Sequence, residues 1–306
     1  MLIYSVGTQV VTRKDVFAHA DRIAHPAGAV GVVVRAPVDP AHSYRVKFLD
    51  GFEASLHHAQ LVRLSDYKNE QIHRSDATMN SGLYERVIFR CVIGSRAYGL
   101  EDEGSDTDRR GVYLPPAHMH WSLLGVPEQI ENEETQECYW ELQKFLVLAL
   151  KANPNVLECL YSPIVETLTP LGEELIGMRG AFLSKLVFQT YSGYVASQFK
   201  KMQGDLRNHG RIKWKHVMHL IRLLMSGIHV LRSGEISVDV GPNRDRLLAI
   251  KRGEVPFRDT EAWRSELQSE FEAALAKSSL PDRPDYERAN DLLIRARSMA
   301  TSDALP

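Results

Sequence analysis

Residues 87–116 read VIFRCVIGSRAYGLEDEGSDTDRRGVYLPP, and the fold turns on how this stretch is divided. Val87 to Ile93 is an apolar run rich in branched residues, short enough to be a buried strand. Gly94 and Ser95 follow as a turn. A second strand is expected to begin at Asp106 and to run through Gly111, Val112, Tyr113 and Leu114 to the Pro115-Pro116 stop. Side chains two apart on a strand share a face, so Asp106 and Asp108 are expected to present their carboxylates together.

Paired carboxylates are hard oxygen ligands suited to magnesium, and such ions clamp the oxygens of a transferring phosphoryl group. A Gly-Ser turn complements them, because its backbone comes close enough for N–H groups and a hydroxyl to donate to phosphate. Metal and triphosphate would then meet in one cleft.

The pairing of Ile93-Gly94-Ser95 with Ser105-Asp106-Thr107-Asp108 resembles the signature of the DNA polymerase beta superfamily of nucleotidyltransferases. The longer form, Gly-Ser-Arg-Ala-Tyr-Gly-Leu with Ser-Asp-x-Asp-x-Arg-Gly-Val, looks like a bacterial and phage branch associated with RNA repair. The resemblance implies transfer of a nucleoside monophosphate from an NTP, ATP being the expected one, to a hydroxyl with release of pyrophosphate. It implies Mg2+ or Mn2+ held by Asp106, Asp108 and a third acid, with Gly94, Ser95 and Arg96 at the phosphates and Arg109 as a further candidate contact. The expected acceptor is an RNA end. A protein or small-molecule acceptor, as in adenylylating members, is the alternative, and a chemically silent NTP- or RNA-binding regulator is the second.

The superfamily places its third acid on a neighbouring strand. In the run Glu131 to Trp140, Glu137 is the first choice for that ligand, since it leads into Cys138-Tyr139-Trp140 just before a helical pattern. Glu141 and Glu134 are the alternatives. From Leu142 the apolar residues recur at spacings of three and four, which marks a helix that Asn153-Pro154 stops, and Val156 to Tyr161 begins another. Lys144 on the first of these is a candidate nucleotide neighbour.

Composition sets the frame. The 306 residues allow two or three domains, and 44% hydrophobic content is ample for packed cores. A net charge of -2 argues against a surface built for indiscriminate nucleic-acid binding. Cys91, Cys138 and Cys159 lie far apart in apolar surroundings, which reads as reduced core thiols rather than a disulfide framework or zinc site. No run approaches membrane-spanning length and the start lacks a basic flank with a long apolar core, so a cytoplasmic protein without membrane contact is expected.

The expected architecture is α+β. Residues 1–66, with valine-rich runs at 8–11, 29–35 and 44–48 and an Asp50-Gly51 hairpin cue, resemble a small SH3-like β-barrel. Residues 67–82 read as a linker, 83–168 as a mixed-sheet nucleotidyltransferase core, and 169–306 as an all-α domain. Helical periodicity marks 171–178, 182–202, 213–231, 244–250, 259–276 and 285–299. The densest positive charge comprises Lys200, Lys201, Arg207, His209, Arg211, Lys213 and Lys215, with Trp214 among them. Lys215, His219 and Arg222 are spaced by four and three and share one helix side. Their block resembles the same branch, which implies phosphate or acceptor contacts.

Overall fold

The computed structural model describes residues 3–18, 22–37, 42–72, 82–102, 104–123, 125–209 and 212–302. It divides into two compact units, Met1–Met79 and Asn80–Pro306. The mixed α+β architecture expected from the sequence is present, with helices dominating the C-terminal half.

In the first unit, strands β1 (Gln9–Thr12), β4 (Val30–Arg35), β5 (Tyr44–Phe48), β6 (Glu53–Leu56) and β7 (Leu61–Arg63) form a sheet in the order β6-β5-β4-β1-β7, every neighbour antiparallel. Strands β2 (Val16–Phe17) and β3 (Ile23–His25) pair separately. The alternation in β5 buries Tyr44, Val46 and Phe48 while Arg45 and Lys47 face outward, as a half-buried strand requires. Asp50-Gly51 turns β5 into β6 as its sequence predicts, with the Phe48 carbonyl accepting from Gly51. The expected SH3-like barrel does not close: β6 and β7 are opposite edges, and no pairing among the described residues joins them. Helix α1 (Leu64–Ile72) occupies the start of the presumed linker, whose residues 73–81 lie outside the described ones.

The second unit is built on a five-stranded sheet in the order β10-β11-β9-β8-β12, from β8 (Val87–Ile93), β9 (Asp108–Tyr113), β10 (Gln129–Asn132), β11 (Glu137–Glu141) and β12 (Val165–Leu168). Only β9 and β11 run parallel. The branched residues of β8 are buried on both faces, and it lies between two neighbours as a central strand should. Strand β9 starts at Asp108, two residues later than the sequence suggests, because Asp106 and Thr107 complete the loop that enters it.

Helices α2 (Ala117–Trp121), α3 (Leu142–Leu150) and α4 (Pro154–Leu160) surround the sheet. Asn153 caps α4 by accepting from the N–H groups of Asn155 and Val156, and Pro154 stands at its first turn, where its missing donor costs nothing. The remaining helices are α5 (Pro170–Gly177), α6 (Leu186–His209), α7 (Trp214–Ser233), α8 (Arg244–Arg252), α9 (Phe257–Lys277) and α10 (Tyr286–Met299), close to the periodic segments of the sequence. One hydrophobic core runs continuously from Ile88 to Ala300, so sheet and helices cohere as a single body. Helix α7 is its spine: Ile221, Leu224 and Leu231 are almost fully buried, each contributing about 1.5–3 kcal/mol. None of the described helices is long and apolar enough to cross a membrane.

Candidate active site

Gly94 ends β8 in the left-handed region, at φ +77°, which favours glycine. A second constraint adds to this: a Cβ would stand 2.7 Å from Oδ2 of Asp108, so a side chain there would have to push that carboxylate aside. The turn and the carboxylate are therefore in direct apposition, Ile93 being the register partner of Asp108 across β8 and β9. Behind the turn, the Gly94 carbonyl accepts from Tyr98 and the Ser95 carbonyl from Leu100, which coils 94–100 into a tight loop.

Arg96 joins the two halves of the motif, its guanidinium donating to the Ser105 carbonyl at 3.2 Å. Asp102 and Ser105 close the intervening loop through reciprocal bonds, and Asp102 also takes the Lys251 ammonium at 2.8 Å. That hydrogen bond, followed by the one from Ser105, holds the Asp102 carboxyl below its ordinary range. Asp106 is exposed at the loop end, and Asp108 is half-buried with Arg110 3.4 Å from its Oδ1.

Strand register decides which acids accompany Asp108. Its face also carries Arg110 and Val112, with Cys91 and Ile93 on β8 and Cys138 and Trp140 on β11. Glu137 pairs with Arg109, and Glu141 with Tyr113, so both project from the opposite face. The expected grouping of Glu137 with Asp106 and Asp108 does not form, and among the described residues no three acids, histidines or cysteines cluster as a metal site. Arg109 likewise turns away, paired with Glu166 at 2.9 Å. Glu141 is buried as the N-cap of α3, accepting from Lys144, with Arg297 3.4 Å away. Burial pushes its carboxyl up, against the pull of those donors. Glu134 lies exposed in the β10–β11 turn, and Lys144 is paired with Glu128. Glu131 does share the Asp108 face, but it sits two strands away and level with Arg110, about 12 Å off, too far to hold one ion with it.

The helix side supplies positive charge, though not as a uniform row. Lys215 is exposed, whereas His219 is half-buried and Arg222 is 7% exposed. Burial, then the charges of Arg222, Lys215, His216 and Lys251, lowers His219 to a pKa of about 4, so at neutral pH it is an uncharged imidazole. Arg222 does not fit the expected role of direct phosphate contact. Its Nη1 donates to Oε1 of Glu158 at 2.7 Å, and Glu158 is fully buried. Trp214 packs half-buried against the core. Of the remaining basic cluster, Arg211 and the side chains of Lys200, Lys201, Arg207 and His209 lie outside the described ones.

Three residues to which the sequence assigns no role bear on the site. Tyr98 donates to Glu158 at 2.7 Å, Lys251 holds Asp102, and Arg244 donates to the Gly99 carbonyl at 2.7 Å. Glu158 had one available signal, a lone acid inside the apolar run Val156 to Leu160. A cavity of about 500 Å³ between α7, residues 237–243 and α9 is lined partly by Arg222 and Ser226, but by no residue of the 94–108 stretch.

The Asp108 carboxylate beside the Gly94 turn is a hard oxygen donor of the kind a magnesium-class ion takes, and Asp106, exposed two residues earlier in the loop, is the other acid of the motif that could join it. The model of the family described as RlaP, RNA repair pathway DNA polymerase beta family, matches residues 56–295. The uncharacterized protein YcgL of Bacillus subtilis (strain 168) is 35% identical over 83 residues, 26% of this chain and 32% of that relative. The chain thus matches about a third of that relative's length.

Proposed function

The chain belongs to the RNA repair pathway DNA polymerase beta family, and from that premise we propose that it moves a nucleoside monophosphate from an NTP to a hydroxyl, releasing pyrophosphate. The observation that supports this reading is the apposition of Gly94 and Asp108, which brings together the glycine turn we assign to phosphate and the carboxylate we assign to the metal. In the reaction the acceptor oxygen bonds to the α-phosphorus as the bond to the pyrophosphate oxygen breaks, and the hydroxyl proton goes to solvent. Asp106 and Asp108 would hold a divalent ion, which when bound would supply charge neutralisation at the transferring group.

The chain's own residues do the positioning. The Ser95 hydroxyl and the turn's backbone receive the phosphates, and Arg96 ties the turn to the strand entry that carries the acids. Lys215, exposed on α7, offers charge to the triphosphate or acceptor, and neutral His219 offers a hydrogen bond. The acceptor we favour is an RNA end, in keeping with the repair family, and the donor we favour is ATP. A protein or small-molecule acceptor is the alternative.

A second reading, NTP binding without turnover, is favoured by the separation of Glu137 from Asp108. One experiment decides between them: incubation with magnesium and each α-labelled NTP against cellular RNA and protein. Label in nuclease-sensitive material supports RNA transfer and protease-sensitive label supports protein modification. Saturable NTP binding with no covalent label and no release of pyrophosphate would leave only the regulator.

A further inference from the structure

Beneath the nucleotide turn lies a buried polar trio that the transfer chemistry does not itself require. Glu158 on α4 is fully buried, Arg222 on α7 nearly so, and Tyr98 closes the Gly94 turn at 5% exposure. Glu158 receives Nη1 of Arg222 at 2.7 Å, Nη2 at 3.4 Å and the Tyr98 hydroxyl at 2.7 Å. The Arg222 guanidinium also lies over the Tyr98 ring, 3.7 Å from its centroid. Burial opposes the charge on Arg222, but Glu158 and Tyr98 more than offset this and keep it cationic. A buried ion pair is a poor device for stability alone, since apolar residues of similar shape usually serve as well. What apolar residues cannot supply is direction.

The direction runs to the turn. The Tyr98 N–H donates to the Gly94 carbonyl, so fixing the phenol fixes the carbonyl end of the residue that abuts Asp108. The same segment is fastened at three further points: the Tyr98 carbonyl accepts from Val240, the Gly99 carbonyl from Arg244, and Asp102 from Lys251. Gly99, at φ +69°, sits so close to Asp239 that a Cβ would be 2.8 Å from its Oδ2.

We propose that Glu158, Arg222 and Tyr98 are positioning residues which set the Gly94–Gly99 turn for the nucleotide, making the seating of α7 a determinant of NTP affinity. The activity arm of this proposal rests on the nucleotidyltransferase reading. The exchange arm does not.

The test compares wild type with Tyr98→Phe, Glu158→Gln and the apolar double variant Glu158→Met with Arg222→Met. Amide exchange at Tyr98 and Leu100, the donors inside the turn, should accelerate about tenfold or more, with β8 amides unchanged. KM for the NTP should rise about tenfold while kcat falls less, because a misplaced turn first loses ground-state contacts. Native melting of the double variant with wild-type turn exchange and wild-type KM would overturn the proposal. If wild type transfers no label, the functional reading fails, and turn exchange alone decides this one. If Glu158→Gln does not fold, Tyr98→Phe, which removes one hydroxyl, carries the comparison.

Discussion

Gly94 and Asp108 occupy adjacent places such that a methyl group on the first would lie 2.7 Å from a carboxylate oxygen of the second. The backbone at Gly94 is also left-handed, at φ +77°. Gly94→Ala therefore meets two costs, about 1–2 kcal/mol for the conformation and a further displacement of Asp108. We expect the melting temperature to fall by a few degrees and label transfer to fall about a hundredfold, since the displaced carboxylate is the one assigned to the metal. Full activity in a folded Gly94→Ala protein would separate the turn from the chemistry.

Asp106 and Asp108 differ in burial but are assigned one task. Asp106→Asn touches an exposed side chain, so its stability should stay within about 0.5 kcal/mol of wild type, while transfer falls about a hundredfold or more. Asp108→Asn should lose activity similarly and also loosen Arg110, whose guanidinium sits 3.4 Å away. Thermal melts run beside the labelling assay check both. Retained transfer in a variant carrying both Asp106→Asn and Asp108→Asn would remove the metal site from the account.

Both strands and the helical half were legible because each rests on local pattern: a branched apolar run, a glycine turn, apolar residues at three and four. The third carboxylate was not, since its assignment depends on parity. A shift of one residue between β9 and β11 would bring Glu137 to the Asp108 face, and nothing local to Glu137 fixes that register. Closure of the first sheet was hidden for a similar reason, since it would need a long-range pairing of β6 with β7 that the described residues do not make. Helical spacing placed Lys215, His219 and Arg222 on one side correctly, but spacing carries no depth. Helix α7 enters the core along its length, so its exposed lysine and buried arginine share a side without sharing an environment.

That difference in depth separates two substitutions on α7. Arg222→Ala strands the buried Glu158 carboxylate and should cost about 3–5 kcal/mol, read from the midpoint of urea unfolding. Lys215→Ala should change stability by less than about 0.5 kcal/mol, yet weaken NTP or RNA binding and make it less dependent on salt. Unchanged binding and an unchanged salt slope in Lys215→Ala would reduce that part of the helix to solvated surface.

His219 gives the pH dependence its sign. Its pKa in the folded protein is about 4, below the ordinary imidazole value, chiefly through burial and then through Arg222, Lys215, His216 and Lys251. As pH falls from about 6.5 toward 4, the unfolded chain takes up this proton before the folded one does, so stability must decline across that window. Below about 4 both states are protonated and the group adds no further slope. His219→Gln keeps polarity and approximate size but cannot titrate. Urea midpoints measured at about pH 7 and pH 5 should therefore diverge less in the variant than in wild type. Equal losses in the two proteins would assign the acid sensitivity to other groups and return His219 to an ordinary imidazole.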